Sequence, residues 1–125
     1  MYSSQVLDHF EHPRNVGELE RADAAAEVEN PACGDVMRLS LKLRDGRIAE
    51  ARYRTQGCVT AIACGSRLTE LLLGRTLDQA RALRRQELVG ALGGLSPETT
   101  HASHLAMDAL AAVLTQLQAP RPASR

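Results

Sequence analysis

The sequence predicts an α+β fold in which helices pack on one face of a small antiparallel sheet. Three observations carry that prediction. From Met37 the residues alternate, with Met37, Leu39, Leu41 and Leu43 on one side and Arg38, Ser40, Lys42 and Arg44 on the other, as in a half-buried strand. Asp45-Gly46 is a hairpin turn signal, after which Ala49, Ala51 and Tyr53 alternate with Glu50, Arg52 and Arg54 as the returning strand. Beyond Gly57-Cys58 the apolar period lengthens to three and four residues, so the strands come first and a group of helices follows.

The elements follow in order. Ser3 or Ser4 can cap a short helix through Val6, Leu7 and Phe10, which ends near Pro13 because proline lacks an N–H and restricts the residue before it. Ala24 to Glu29 reads as a third, weaker strand beside the hairpin. Ala61, Cys64, Leu68 and Leu71 form the stripe of the next helix, which Gly74 stops. Thr76 caps a short helix through Leu77, Ala80 and Leu83, and another covers Glu87 to Leu92 before Gly93-Gly94 breaks the chain. Past Pro97 a last helix runs from about His101 to Leu117, with Met107, Leu110, Leu114 and Leu117 as its apolar stripe.

The chain has 125 residues, enough for one domain with one core. That domain spans residues 1–118, and 119–125, rich in proline and arginine, form a frayed, disordered tail. Acidic and basic residues number 15 each, so the overall charge points to neither nucleic acid nor an anionic membrane as partner. Aromatic platforms for stacking bases are lacking, with one Phe, two Tyr and no Trp. No stretch is apolar for long enough to span a bilayer and the N-terminus lacks the layout of a signal peptide, so the expected location is cytoplasmic.

Three cysteines cannot all pair within one chain, and in a reducing compartment Cys33, Cys58 and Cys64 are expected as thiols or metal ligands. Cys33-Gly34-Asp35 lies behind Asn30-Pro31 at the start of the first hairpin strand, where a tight turn presents a thiol and a carboxylate together. Cys58 lies after the second strand. Because the strands are antiparallel around Asp45-Gly46, both cysteines fall at the same end of the sheet. A helix N-terminus just after Cys58 favours the thiolate, the form that binds metal or attacks an electrophile. Cys64 falls on the stripe with Ala61, Leu68 and Leu71 and reads as a core residue. His101, His104 and Asp108 are spaced to lie near one face of the last helix, a pattern shared by metal ligands and by exposed polar residues.

Asp8-His9-Phe10-Glu11-His12-Pro13-Arg14-Asn15-Val16-Gly17, Asn30-Pro31-Ala32-Cys33-Gly34-Asp35-Val36-Met37 and Gly57-Cys58 through Ala61-Ile62-Ala63 closely resemble the IscU/NifU-type iron-sulfur cluster assembly scaffolds. The likeness runs in register over nearly the whole chain. It implies a SufE/NifU-like α+β fold with a three-stranded sheet and a surface site for cluster assembly. There a cysteine desulfurase delivers sulfur, iron is built into a labile [2Fe-2S] cluster, and the cluster passes to recipient apo-proteins. Carried onto this chain, the resemblance makes Cys33, Asp35, Cys58 and His101 the ligands of iron or cluster.

The chain departs from the family in three places. The family's third cysteine, directly after the histidine, is Ala102 here, which neither binds iron nor accepts sulfur. Cys64 stands where these scaffolds usually have serine, which leaves open whether Cys64 or His104 replaces the lost ligand. The family's Leu-Pro-Pro-Val-Lys stretch, recognised by an Hsp70-type chaperone, reads Leu95-Ser96-Pro97-Glu98-Thr99, so that partner is not carried over. A zinc-dependent sulfur-transfer branch of the superfamily has a long insertion between its second and third cysteines that is absent here. The expected function is therefore a non-enzymatic scaffold or carrier. The alternatives are a sulfur acceptor on Cys58 with zinc holding the resting site, and a degenerate regulatory paralogue.

Overall fold

A computed structural model of the protein describes residues 2–118, and the expected tail, 119–125, lies outside the described residues. The elements run α1 Ser4–Glu11, β1 Ala24–Glu29, β2 Val36–Arg44, β3 Arg47–Gln56, α2 Val59–Leu72, α3 Leu77–Arg81, α4 Arg85–Ala91 and α5 His101–Gln118. The strands form one antiparallel sheet in the order β1-β2-β3. Helices α5 and α2 pack on it, α5 against β1 and β2 and α2 against β3, and α1 lies on α2.

The hairpin forms as its turn residues demand. Asp45 and Gly46 both take positive φ, 55° and 77°, the backbone of the two-residue turn that matches strand twist. The register slips between Lys42 and Leu43. That irregularity moves the inward positions of early β3 by one, so Ile48 is buried and Ala49 is exposed, contrary to the simple alternation. Ala51 and Tyr53 face inward as expected. The outer edge of β3 is covered at two places. Tyr53 N–H donates to the Asn15 carbonyl at 3.0 Å and Gly17 N–H to the Tyr53 carbonyl at 2.9 Å, while Ile48 N–H donates to the Arg75 carbonyl at 2.8 Å.

The core joins Met37, Leu39 and Leu41 of β2 to Leu68 and Leu72 of α2 and to Leu105, Ala106, Ala109, Leu110 and Val113 of α5. Each such leucine contributes about 1.5–3 kcal/mol by leaving water. The buried face of α5 is thus broader than the expected stripe, and Met107 and Leu117 only border it. Small residues on α5 and α2 let the helices approach the sheet closely. Gly65 is the sharpest case, since a Cβ there would stand 2.3 Å from the Tyr53 ring.

Helix α1 turns a different face inward from the one its apolar residues suggest. Ser3 caps it by accepting from Val6 N–H at 3.0 Å, yet Leu7 and Phe10 are exposed and His9 is buried beside Val6. The reason is polar. His9 Nδ1 lies 2.6 Å from Ser66 Oγ and its Nε2 lies 3.4 Å from Glu70, both on α2, and Arg14 N–H donates to the same Ser66 oxygen at 2.9 Å. The Asp8 to Gly17 motif is therefore the joint between α1, α2 and the edge of β3.

Candidate functional site

Antiparallel pairing brings the two cysteine loops to one end of the sheet, with Val36 opposite Gln56. Before β2 the chain makes a tight turn. Gly34 N–H and Cys33 N–H both donate to the Asn30 carbonyl, at 2.7 and 3.3 Å, and Gly34 takes φ 77°, a conformation open to glycine. Cys33 is exposed at this turn and Asp35 points inward, 9% exposed.

After β3, Cys58 is the N-cap of α2, with its sulfur accepting from Ala61 N–H at 3.4 Å. A cysteine in a position that usually takes Ser, Thr, Asp or Asn places sulfur where the free N–H groups of the first turn point. Gly57, just before it, is pressed against Asp35, for a Cβ at residue 57 would stand 2.9 Å from Asp35 Cγ and 3.0 Å from its Oδ2.

His101 opens α5. The ligand atoms of Cys33, Asp35 and His101 all lie within 4.8 Å of one another, the arrangement a single metal ion requires. His101 Nε2 is 3.9 Å from Asp35 Oδ2. The other ring nitrogen, Nδ1, lies 3.1 Å from the Glu98 carbonyl. A carbonyl only accepts, so Nδ1 donates to it, which leaves Nε2 as the ring nitrogen that faces the cluster. Asp35 Oδ2 is buried without a hydrogen-bond partner, and so is Thr60 Oγ1 in the first turn of α2. A buried carboxylate oxygen without a hydrogen-bond partner, beside a thiol and an imidazole nitrogen, suits a cation.

The structure thus brings together three of the four expected ligands. Cys58 borders the cluster through Gly57 and stands outside the mutual 4.8 Å group. Cys64 is fully buried, and burial, with Cys58 nearby, pushes its thiol up to about 12, so it is a neutral core group. His104 and Asp108 are exposed on α5 and take no part in the cluster. Ala102 is completely buried, next to His101 in the chain but part of the core. Sequence reasoning missed the Glu98 carbonyl and the burial of His9. Neither leaves a sequence signal, since each depends on contacts made only in the fold.

The fold and this donor set define a small α+β domain with a cysteine, carboxylate and imidazole cluster at one sheet end. The chain belongs to the NifU-like N-terminal domain family, which matches residues 1–122. It is 46% identical over 110 residues to the iron-sulfur cluster assembly scaffold protein IscU 1 of Archaeoglobus fulgidus, covering 88% of this chain and 72% of that protein. It is 42% identical over 126 residues to the iron-sulfur cluster assembly scaffold protein IscU of Escherichia coli, covering 98% of each. Among solved structures, the N-terminal NifU-like protein of Brucella abortus matches with a TM-score of 0.72 at 24% identity, over 93% of each chain, which speaks for the fold.

Proposed function

We propose that this protein is an iron-sulfur cluster assembly scaffold or carrier. Iron is its cargo, held first by Cys33, Asp35 and His101, with Cys58 supplying a further thiolate once sulfide is present. The observation that carries this reading is the mutual 4.8 Å approach of one sulfur, one carboxylate and one imidazole at the end of the sheet. Mixed ligation of this kind suits a labile [2Fe-2S] cluster that is handed on. The sulfur donor is a cysteine desulfurase and the recipients are apo-proteins that take the finished cluster. We place this work in the cytoplasm and assign the protein no catalysis of its own. Anaerobic reconstitution with iron and sulfide, followed by absorbance and Mössbauer spectra, tests the proposal. Stoichiometric iron and sulfide with a [2Fe-2S] signature is expected; protein that takes up neither refutes it.

A second reading is favoured by one feature. Three donors converge and Cys58 stands aside, which is the layout of a zinc ion holding the resting site while Cys58 remains available to accept sulfur. Mass spectrometry after incubation with a desulfurase decides it. A persulfide on Cys58 in zinc-loaded protein supports this reading, and an unmodified Cys58 rejects it.

A further inference from the structure

The start of α5 is held from outside the helix. Arg85, the first residue of α4, donates from Nη1 to Thr100 Oγ1 at 3.3 Å and to Ser103 Oγ at 3.4 Å. Ser103 Oγ–H in turn donates to the Thr100 carbonyl at 2.6 Å. These groups flank His101 on both sides in the chain. The turn before it is closed as well. Thr99 N–H donates to the Ser96 carbonyl at 3.1 Å and the Ser96 and Thr99 hydroxyls meet at 2.9 Å, which sets the Glu98 carbonyl where His101 Nδ1 meets it.

Within the chain, the first turn of α5 is tied to the residues just before it, Ala102 N–H donating to the Thr99 carbonyl at 3.1 Å and Ser103 N–H to the Thr100 carbonyl at 3.0 Å, so its rotation follows that of the 96–100 turn, which Arg85 anchors from α4. A rotation there would carry His101 away from both the Glu98 carbonyl and the Cys33–Asp35 pair. We propose that Arg85 is a positioning residue for metal capture. By tying Thr100 and Ser103 to α4, it holds His101 so that Glu98 fixes the Nδ1–H tautomer and Nε2 faces the site. Arg85 touches neither ligand atom nor cargo. Its effect passes through the helix start to the ring, as outer partners of ligating histidines act elsewhere. This assignment rests on the proposed metal site and adds to it a residue on another helix.

The test uses the full chain and zinc alone. Affinity is read by competition with a chromogenic chelator for wild type, Arg85→Met, Arg85→Lys and a Thr100→Val, Ser103→Ala double variant. The ring ¹⁵N shifts of His101 are read in metal-free protein, well above the ordinary histidine titration range. Arg85→Met is expected to weaken zinc binding roughly 10-fold and to change the ring from one tautomer to a mixture. Arg85→Lys, which keeps one cationic donor, recovers most of both readouts. The double variant, which leaves Arg85 in place, reproduces the Met phenotype and serves should Arg85→Met fail to fold. Unchanged tautomer and zinc affinity within about twofold of wild type overturn the proposal. If wild type takes no zinc, the metal reading fails, and the ring signature alone still decides the role of Arg85.

Discussion

Asp35 Oδ2 stands 3.9 Å from His101 Nε2 and has no hydrogen-bond partner of its own. A buried carboxylate oxygen left in this state costs folding free energy, and a cation between the two residues would recover it. Asp35→Ala is therefore expected to raise the stability of the metal-free protein by about 1 kcal/mol while weakening zinc binding at least roughly 10-fold. Urea unfolding with and without zinc measures both effects. Loss of stability in the metal-free protein would show that Asp35 is a structural residue rather than a waiting ligand.

Gly57 tests the same pocket from the other loop. A Cβ at this position meets Asp35 Cγ at 2.9 Å, its Oδ2 at 3.0 Å and Ala61 Cβ at 3.1 Å. Gly57→Ala should push the carboxylate out of line with His101 and weaken zinc binding roughly 10-fold, read by chelator competition. An unchanged affinity would mean that Asp35 moves aside without consequence, which removes it from the ligand set.

Gly65 and Tyr53 supply a packing test away from the site. The ring lies against the bare α-carbon, and its hydroxyl donates to the Ile62 carbonyl at 2.9 Å. Gly65→Ala forces the ring to shift and should cost about 1–3 kcal/mol in urea unfolding. Tyr53→Phe, which removes only the hydroxyl, should cost about 1 kcal/mol.

Much of this arrangement was legible in the chain. The Asp45-Gly46 turn and the alternation from Met37 specify a hairpin, and an antiparallel hairpin necessarily brings the residues before and after it to one end, hence the Cys33 and Cys58 loops at the same end of the sheet. Cys64 was legible as core because helical spacing alone placed it with Leu68. The face of early β3 was not, since the slip at Lys42 and Leu43 belongs to the pairing of two strands rather than to either. The face of α1 was hidden for a similar reason, because His9 is drawn inward by Ser66 and Glu70 on a helix far along the chain. The approach of His101 to Asp35 was expected from the family likeness, as nothing in the local spacing separates His101 from the exposed His104.

The buried His9 gives stability a pH dependence. Burial, and then the nearby Arg14 guanidinium, hold its imidazole below the ordinary value of 6.5. The unfolded chain therefore binds the proton more tightly than the folded one, so stability falls as pH drops through about 6.5 and is retained above it. His9→Gln should flatten the dependence between neutral and mildly acid pH, with lower stability at neutral pH from the lost contact to Ser66. Urea midpoints across that range report it. A slope as steep as in wild type would assign the acid sensitivity to another group.

Ala102 marks where this chain departs from the scaffolds it resembles, which carry a cysteine directly after the ligand histidine. The methyl group is fully buried in the first turn of α5, so a larger side chain there either strains the core or turns the new sulfur toward His101. Ala102→Cys is expected to lower the melting temperature slightly in metal-free protein and, if the new sulfur turns to the site, to lengthen the life of a reconstituted cluster by adding a thiolate to the proposed donors Cys33, Asp35, Cys58 and His101. The decay of cluster absorbance in the presence of a chelator measures this. A cluster that decays at the same rate in both proteins would mean that the native donors already complete the site.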